Sequence, residues 1–131
     1  MEIVLVEVNG LFPHEEIKPK NLEKMIAWVE KKGGFFEPIL VDRKTRTILD
    51  GHHRYNSALH FGIRLIPGIE VDYLEDESIQ VKPWPGKEEM DITKESILLT
   101  AKSGDLYPPK TSKHTIQIDY PQQFFPLEKL R

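Results

Sequence analysis

Residues 50 to 54 read Asp-Gly-His-His-Arg, an order of side chains that suits an anion. Glycine allows close backbone approach, Arg54 offers the planar fork that matches phosphate oxygens, and His52 and His53 can donate hydrogen bonds or stack. Asp50 has the opposite sign. It fits at the lip of a phosphate site when a cation such as Mg²⁺ sits beside it, with water and phosphate in the remaining positions. Two other segments have compatible chemistry. His14-Glu15-Glu16 follows a strand-like run, where one glutamate near a phosphate can accept a proton. Lys110-Thr111-Ser112-Lys113-His114 supplies two cations, two hydroxyls and an imidazole after the stiff Pro108-Pro109 pair. Each segment also has an ordinary reading. Asp50 would cap a helix, with His52 exposed and Arg54 paired to a surface acid; Glu15 and Glu16 would be solvated charges; 108–115 would be a polar loop.

The elements that must position these groups follow from the pattern of apolar residues. Residues 2–8 are β-branched and continuous, which predicts a strand covered on both faces. Asn21 is placed to cap a helix with Leu22, Met25, Ile26 and Val29 at helical spacing and Gly33-Gly34 as its stop. Residues 38–42 and 46–50 flank a polar turn and predict a hairpin whose second strand ends at Asp50. A second helix starts just after Gly51 and stops at Gly62, so the backbone N–H groups and positive end of that helix meet Arg54 at one point. Two more strands fall in 67–74 and 78–84, and Thr93 caps a third helix closed by Gly104. The block 107–119 reads as a polar loop leading into a short strand, and Phe124 and Phe125 as packing residues. The expected product is an α/β domain, mixed α+β, with a small mixed sheet and about three helices.

Composition excludes several classes of function. With no cysteine there is no disulfide framework, thiolate zinc site or cysteine nucleophile. Net charge −3 gives no global basic field for duplex DNA, although a small anion needs only a local pocket. No run approaches the roughly 20 apolar residues of a membrane span, and the first residues lack a basic leader, so cytoplasm is the expected location. The many Lys and Glu residues, with no Cys, are compatible with a thermophilic source.

In order along the chain, LFPHEE, EPILV, LDGHHRYNSAL, VDYLEDESIQVKPWP and GDLYPPKTSKHTI resemble the archaeal free L-serine kinases of the ParB/sulfiredoxin-like superfamily. The DGHHR loop is shared with other activities of that superfamily, whereas PHE together with PKT-x-x-H is more specific. The resemblance implies one domain over 1–131 that phosphorylates free L-serine to O-phospho-L-serine, with Mg²⁺ and with ADP or ATP as donor. It makes Glu15, rather than Glu16, the general base and puts Asp50 at the reacting centre as catalytic aid or metal ligand. Gly51, His52, His53, Arg54, Lys110, Thr111 and Ser112 would hold the nucleotide, and Trp84 and His114 the amino acid, with Lys113 nearby. The chain departs from the longer kinases in lacking their inserted lobe between KPWPG and ESILLTAKSG. A rival reading is a ParB-type nucleotide-binding regulatory module without transfer to a small molecule; no helix-turn-helix segment supports a DNA partner. Sulfiredoxin-like chemistry lacks its cysteine, and the sparse carboxylates argue against a nuclease.

Overall fold

In the computed structural model, which describes residues 1–117 and 119–131, the N-terminal run forms β1 (Val4–Glu7). It is not covered on both faces. β1 is the edge of the main sheet, and only the face bearing Val6 meets the core, leaving Leu5 and Glu7 exposed.

Pro19, rather than Asn21, opens α1 (Pro19–Lys32), and Lys18 is its cap residue. Proline suits this position because its φ is already helical and its missing N–H would have had no partner. The helix stops at Gly33 as expected. Beyond it, β2 (Gly34–Phe35) pairs with β8 (Phe125–Pro126) and fastens the C-terminal tail. A Cβ on Gly34 would lie 2.1 Å from the Phe125 carbonyl oxygen, so only glycine lets these strands meet. Phe125 packs against the core, whereas Phe124 stays exposed, its ring 4.8 Å from that of Phe36.

The predicted hairpin is present as β3 (Ile39–Asp42) and β4 (Ile48–Asp50), antiparallel. Its turn is tied by the buried Asp42 carboxylate. Oδ2 accepts the Thr45 N–H and hydroxyl at 3.0 and 2.6 Å, and Oδ1 accepts the Tyr73 N–H at 3.1 Å. The chain passes from Asp50 through Gly51 into α2 (His52–Phe61), closes at Gly62 and returns as β5 (Leu65–Val71). β5 lies parallel to β3 and antiparallel to β1, giving the order β1-β5-β3-β4. Parallel neighbours need a crossover, which β4 and α2 supply.

β6 (Gln80–Pro83) follows, then α3 (Lys94–Ser103), where Thr93 and Ser96 satisfy each other's backbone N–H groups in a capping box. The polar block holds one correction. Residues 112–115 are a strand, β7 (Ser112–Thr115), paired antiparallel with β6, so the anion-binding groups sit on a ribbon rather than a loop. Of the short strand expected at the end of that block, residue 118 lies outside the described residues.

Alternation along β3 splits the core. Ile39 and Val41 pack with Val29 of α1 and Ala58 of α2, while Leu40 packs with Tyr73 and with Ile97 of α3. The mixed sheet is thus covered by two helices on one face and by the third on the other. Among the described residues no helix is long and apolar enough to cross a membrane.

Asp42→Ala removes acceptors from three buried or half-buried donors, and we expect a loss of about 2–3 kcal/mol. Urea denaturation measures it; a change below about 0.5 kcal/mol would mean the turn holds without this carboxylate.

Candidate functional site

The strand-to-helix junction places its groups through Gly51. Its φ of +102° is unfavourable for other residues, and a Cβ there would lie 2.6 Å from Ile39 Cγ2 and 3.2 Å from Arg54 Nη2. Gly51 itself is the cap residue of α2, with no side-chain cap, so Asp50 does not cap the helix. Its carboxylate instead lines a cleft of about 460 Å³, a volume in the usual range for small ligands. Arg54 lines the same cleft and is mostly buried. One Nη is 3.5 Å from Glu37, an acid the sequence did not single out, and Nε is buried without a hydrogen-bond partner. A guanidinium with a weak pairing and an orphan donor is ready to receive an anion.

The two histidines of the junction have another task. His52 Nε2 accepts the backbone N–H of His14 at 3.1 Å, and His53 Nε2 accepts that of Lys18 at 3.2 Å. Both fasten the N-terminal loop to the start of α2. His52 is buried rather than exposed, and burial with the adjacent His14, His114 and His53 holds it neutral, well below the usual histidine range. His53 keeps one edge on the cleft; burial and then the Arg54 and Lys110 charges lower its pKa.

The N-terminal loop is pinned a second time by the segment after α3. Tyr107 N–H donates to His14 O and Glu16 N–H donates to Tyr107 O, both at 2.8 Å. The loop thereby delivers Glu15 to the C-terminal motif. Glu15 Oε1 accepts the N–H of Ser112 at 2.9 Å and of Thr111 at 3.3 Å, and the Ser112 hydroxyl lies 2.9 Å away. These two N–H groups point the same way because Lys110 adopts a left-handed turn with φ +55°, strained for a residue with a Cβ. Burial raises the Glu15 pKa, against the lowering effect of the bonds from Ser112, Thr111 and the Lys110 backbone.

The fully buried His14 ring bridges the loop to the sheet. Nδ1 is 2.7 Å from Ile48 O and Nε2 is 3.0 Å from the Ser112 hydroxyl. Desolvation lowers its pKa to about 4, against the raising effects of the Ile48 bond and the Asp50 charge. Trp84 donates its indole N–H to Ser112 O at 3.0 Å, and its ring lies 5.5 and 5.0 Å from the Lys110 and Lys113 ammonium groups. His114 contacts the Tyr73 hydroxyl at 2.8 Å, and burial, then His14 and Lys94, lower its pKa to about 3.

Glu15, Asp50, Gly51, His52, His53, Arg54, Trp84, Lys110, Ser112, Lys113 and His114 all line one cleft. Thr111 does not. It is fully buried, and its hydroxyl donates to Pro108 O at 2.7 Å, so only its backbone serves the site. Sequence reading missed Glu37, Tyr73 and Tyr107. Their signal is purely spatial, since each acts on a residue more than ten positions away.

The fold and the cleft define a mixed α/β domain that presents a helix N-terminus, cations and a tethered carboxylate to one anion-sized space. No family model matches the chain. It is 34% identical over 88 residues to the ATP-dependent L-serine kinase of Staphylothermus marinus, covering 64% of this chain and 34% of that protein. It is 31% identical over 88 residues to the ADP-dependent L-serine kinase of Thermococcus kodakarensis, covering 64% and 36%. A ParB-like protein of Sulfolobus acidocaldarius is 38% identical over 79 residues, covering 60% and 39%. The matches thus span little more than a third of these relatives. The fold is that of a free serine kinase solved in complex with AMP: TM-score 0.86 at 18% identity, covering 98% of this chain and 93% of that one. The likeness read from the motifs is therefore present in both sequence and fold.

Buried His14 and His52 and half-buried His114, all with lowered pKa values, make stability pH-dependent. Below the ordinary value of 6.5 the unfolded chain takes up protons that the folded chain refuses, down to about 4 for His14 and about 3 for His114. Stability is complete above that range and falls as pH drops through it. The urea midpoint is expected to decrease steadily from pH 6.5 to 4.5, before most carboxylates titrate. A flat midpoint over that range would contradict neutral burial.

Proposed function

We propose that this chain, acting as one domain over 1–131, transfers a phosphoryl group from ADP or ATP to the hydroxyl of free L-serine. One observation carries the reading. A carboxylate fastened by backbone donors faces the same cleft as a helix N-terminus and an incompletely partnered arginine. The relatives named as L-serine kinases support the choice of acceptor and donor.

Glu15 Oε1 is occupied by its anchoring donors from Thr111 and Ser112, which leaves Oε2 to act as the base. That oxygen takes the serine proton as the serine oxygen bonds to phosphorus and the bond to the departing nucleotide breaks. A pKa raised by burial makes Glu15 a stronger base than an ordinary surface glutamate. The N-terminus of α2, His53, Arg54 and Lys110 hold phosphate oxygens and offset their charge in the transition state. His52 acts from behind, by fixing the loop that bears Glu15. Ser112 and Thr111 act on Glu15 through their N–H groups, and Trp84 and His114 border the acceptor end.

The residues fit a magnesium ion held mainly by phosphate and water. Asp50 lines the cleft beside the phosphate-holding junction, and the described residues contain no cluster of three or more His, Asp or Glu able to cage a metal. Bound beside Asp50, the ion would neutralise phosphate charge. A nucleotide-binding switch of the ParB type would use the same phosphate cradle. It would have no need of a carboxylate tethered opposite, which is why transfer is the better reading.

Phosphorus NMR of the protein with serine, Mg²⁺ and each nucleotide in turn is expected to show O-phosphoserine. Glu15→Gln should lower its rate of formation by about 10²–10⁴, with Glu16→Gln near wild type. Undiminished turnover in Glu15→Gln would remove Glu15 as base; nucleotide binding without product would favour the switch. Arg54→Ala should weaken nucleotide binding by about tenfold or more, read by calorimetric titration.

A further inference from the structure

The Ser112 hydroxyl lies between two acceptors, His14 Nε2 at 3.0 Å and Glu15 Oε1 at 2.9 Å, and it has one hydrogen to give. The His14 ring decides where that hydrogen goes. Its Nδ1 is 2.7 Å from the Ile48 carbonyl, which can only accept, so Nδ1 holds the hydrogen of a neutral ring and Nε2 is a bare acceptor. Among the described residues Nε2 has no donor but Ser112, in a fully buried position where an unsatisfied acceptor is costly. Glu15 Oε1 already accepts two backbone N–H groups.

We infer that His14 is a positioning residue that acts through Ser112 to keep Glu15 basic, by drawing the Ser112 hydrogen to itself and turning an oxygen lone pair toward Glu15. A carboxylate is stabilised by each donor it accepts and destabilised by a facing lone pair. With the hydrogen on His14, Glu15 has one donor fewer and gains more from taking a proton. This inference deepens the kinase reading, since it assigns the origin of the base's strength, and it rests on that reading for its catalytic meaning.

The other titratable or charged groups near the pair come from every element packed against it. They are His52 on α2, His114 on β7, Tyr107 after α3, Asp50 at the end of β4, and the neighbouring Glu16 and Lys110. Burial holds His52 and His114 neutral, so neither changes charge in the range where Glu15 titrates above an ordinary carboxylate.

The test reads Glu15 directly, by the pH titration of its carboxyl carbon in ¹³C-glutamate-labelled protein, assigned with Glu15→Gln. His14→Asn keeps a donor where Nδ1 was and removes the distal acceptor, so Ser112 is free to donate to Glu15. The Glu15 midpoint should then fall by about one pH unit. His14→Gln retains a distal acceptor and should stay near wild type. In a Ser112→Ala background the His14→Asn exchange should move nothing. The acid limb of kcat/KM for serine phosphorylation should follow the same midpoints.

An unchanged midpoint in His14→Asn overturns the inference, as does a shift that survives in the Ser112→Ala background. Absence of phosphoserine from wild type overturns the kinase reading instead, and the carbon titration still decides the role of His14. Unfolding of His14→Asn would show in the same spectra, and Ser112→Ala then serves alone. Losing only a facing lone pair, its midpoint should not rise, and a rise would mean that Ser112 had been donating to Glu15.

Discussion

Two backbone N–H groups of the C-terminal ribbon donate to one carboxylate oxygen of the N-terminal loop, joining residues 96 and 97 positions apart in the chain. Most of what surrounds the cleft serves that contact. The carboxylate is partly buried, a condition that would be unfavourable without donors, and donors in a strained left-handed turn would be wasted without an acceptor. Each side makes the other tolerable. The result is a base whose position is set by main chain on both sides and does not depend on a flexible side chain finding its place.

The Asp-Gly-His-His-Arg junction serves two sides at once. Its backbone and Arg54 face the cleft, while the imidazoles of His52 and His53 reach back and accept N–H groups from the loop that bears Glu15. Phosphate cradle and base are therefore mechanically one piece. A change at either histidine is felt at the carboxylate even though neither touches it. The trio of buried His14 and His52 with half-buried His114 adds polar order in place of apolar packing, and it does so at the cost of stability in mild acid.

Local chemistry made much of this legible in the sequence. Gly33, Gly62 and Gly104 end their helices in left-handed conformations, Thr93 caps the third, and the polar turn with β-branched flanks gives the hairpin that stops at Asp50. Each of these is decided within a few residues by sterics or by a cap. The three site segments were legible for the same reason, since an anion site needs recognisable residue types. Asn21 was misread as a cap because Pro19 supplies a stronger local start two residues earlier.

What lay beyond the sequence is what depends on neighbours far along the chain. The edge position of β1 follows from β5 taking only one of its sides, and the strand at Ser112–Thr115 follows from pairing with β6, which a polar composition conceals. Thr111 turned inward and His52 turned to the loop are likewise outcomes of packing. The sequence by itself determined which residues can bind phosphate or accept a proton, because that is a property of each side chain. Tertiary structure decided which of them face the cleft and which act through another group. Burial, hydrogen-bond partners and distance between remote segments exist only once the chain has closed on itself.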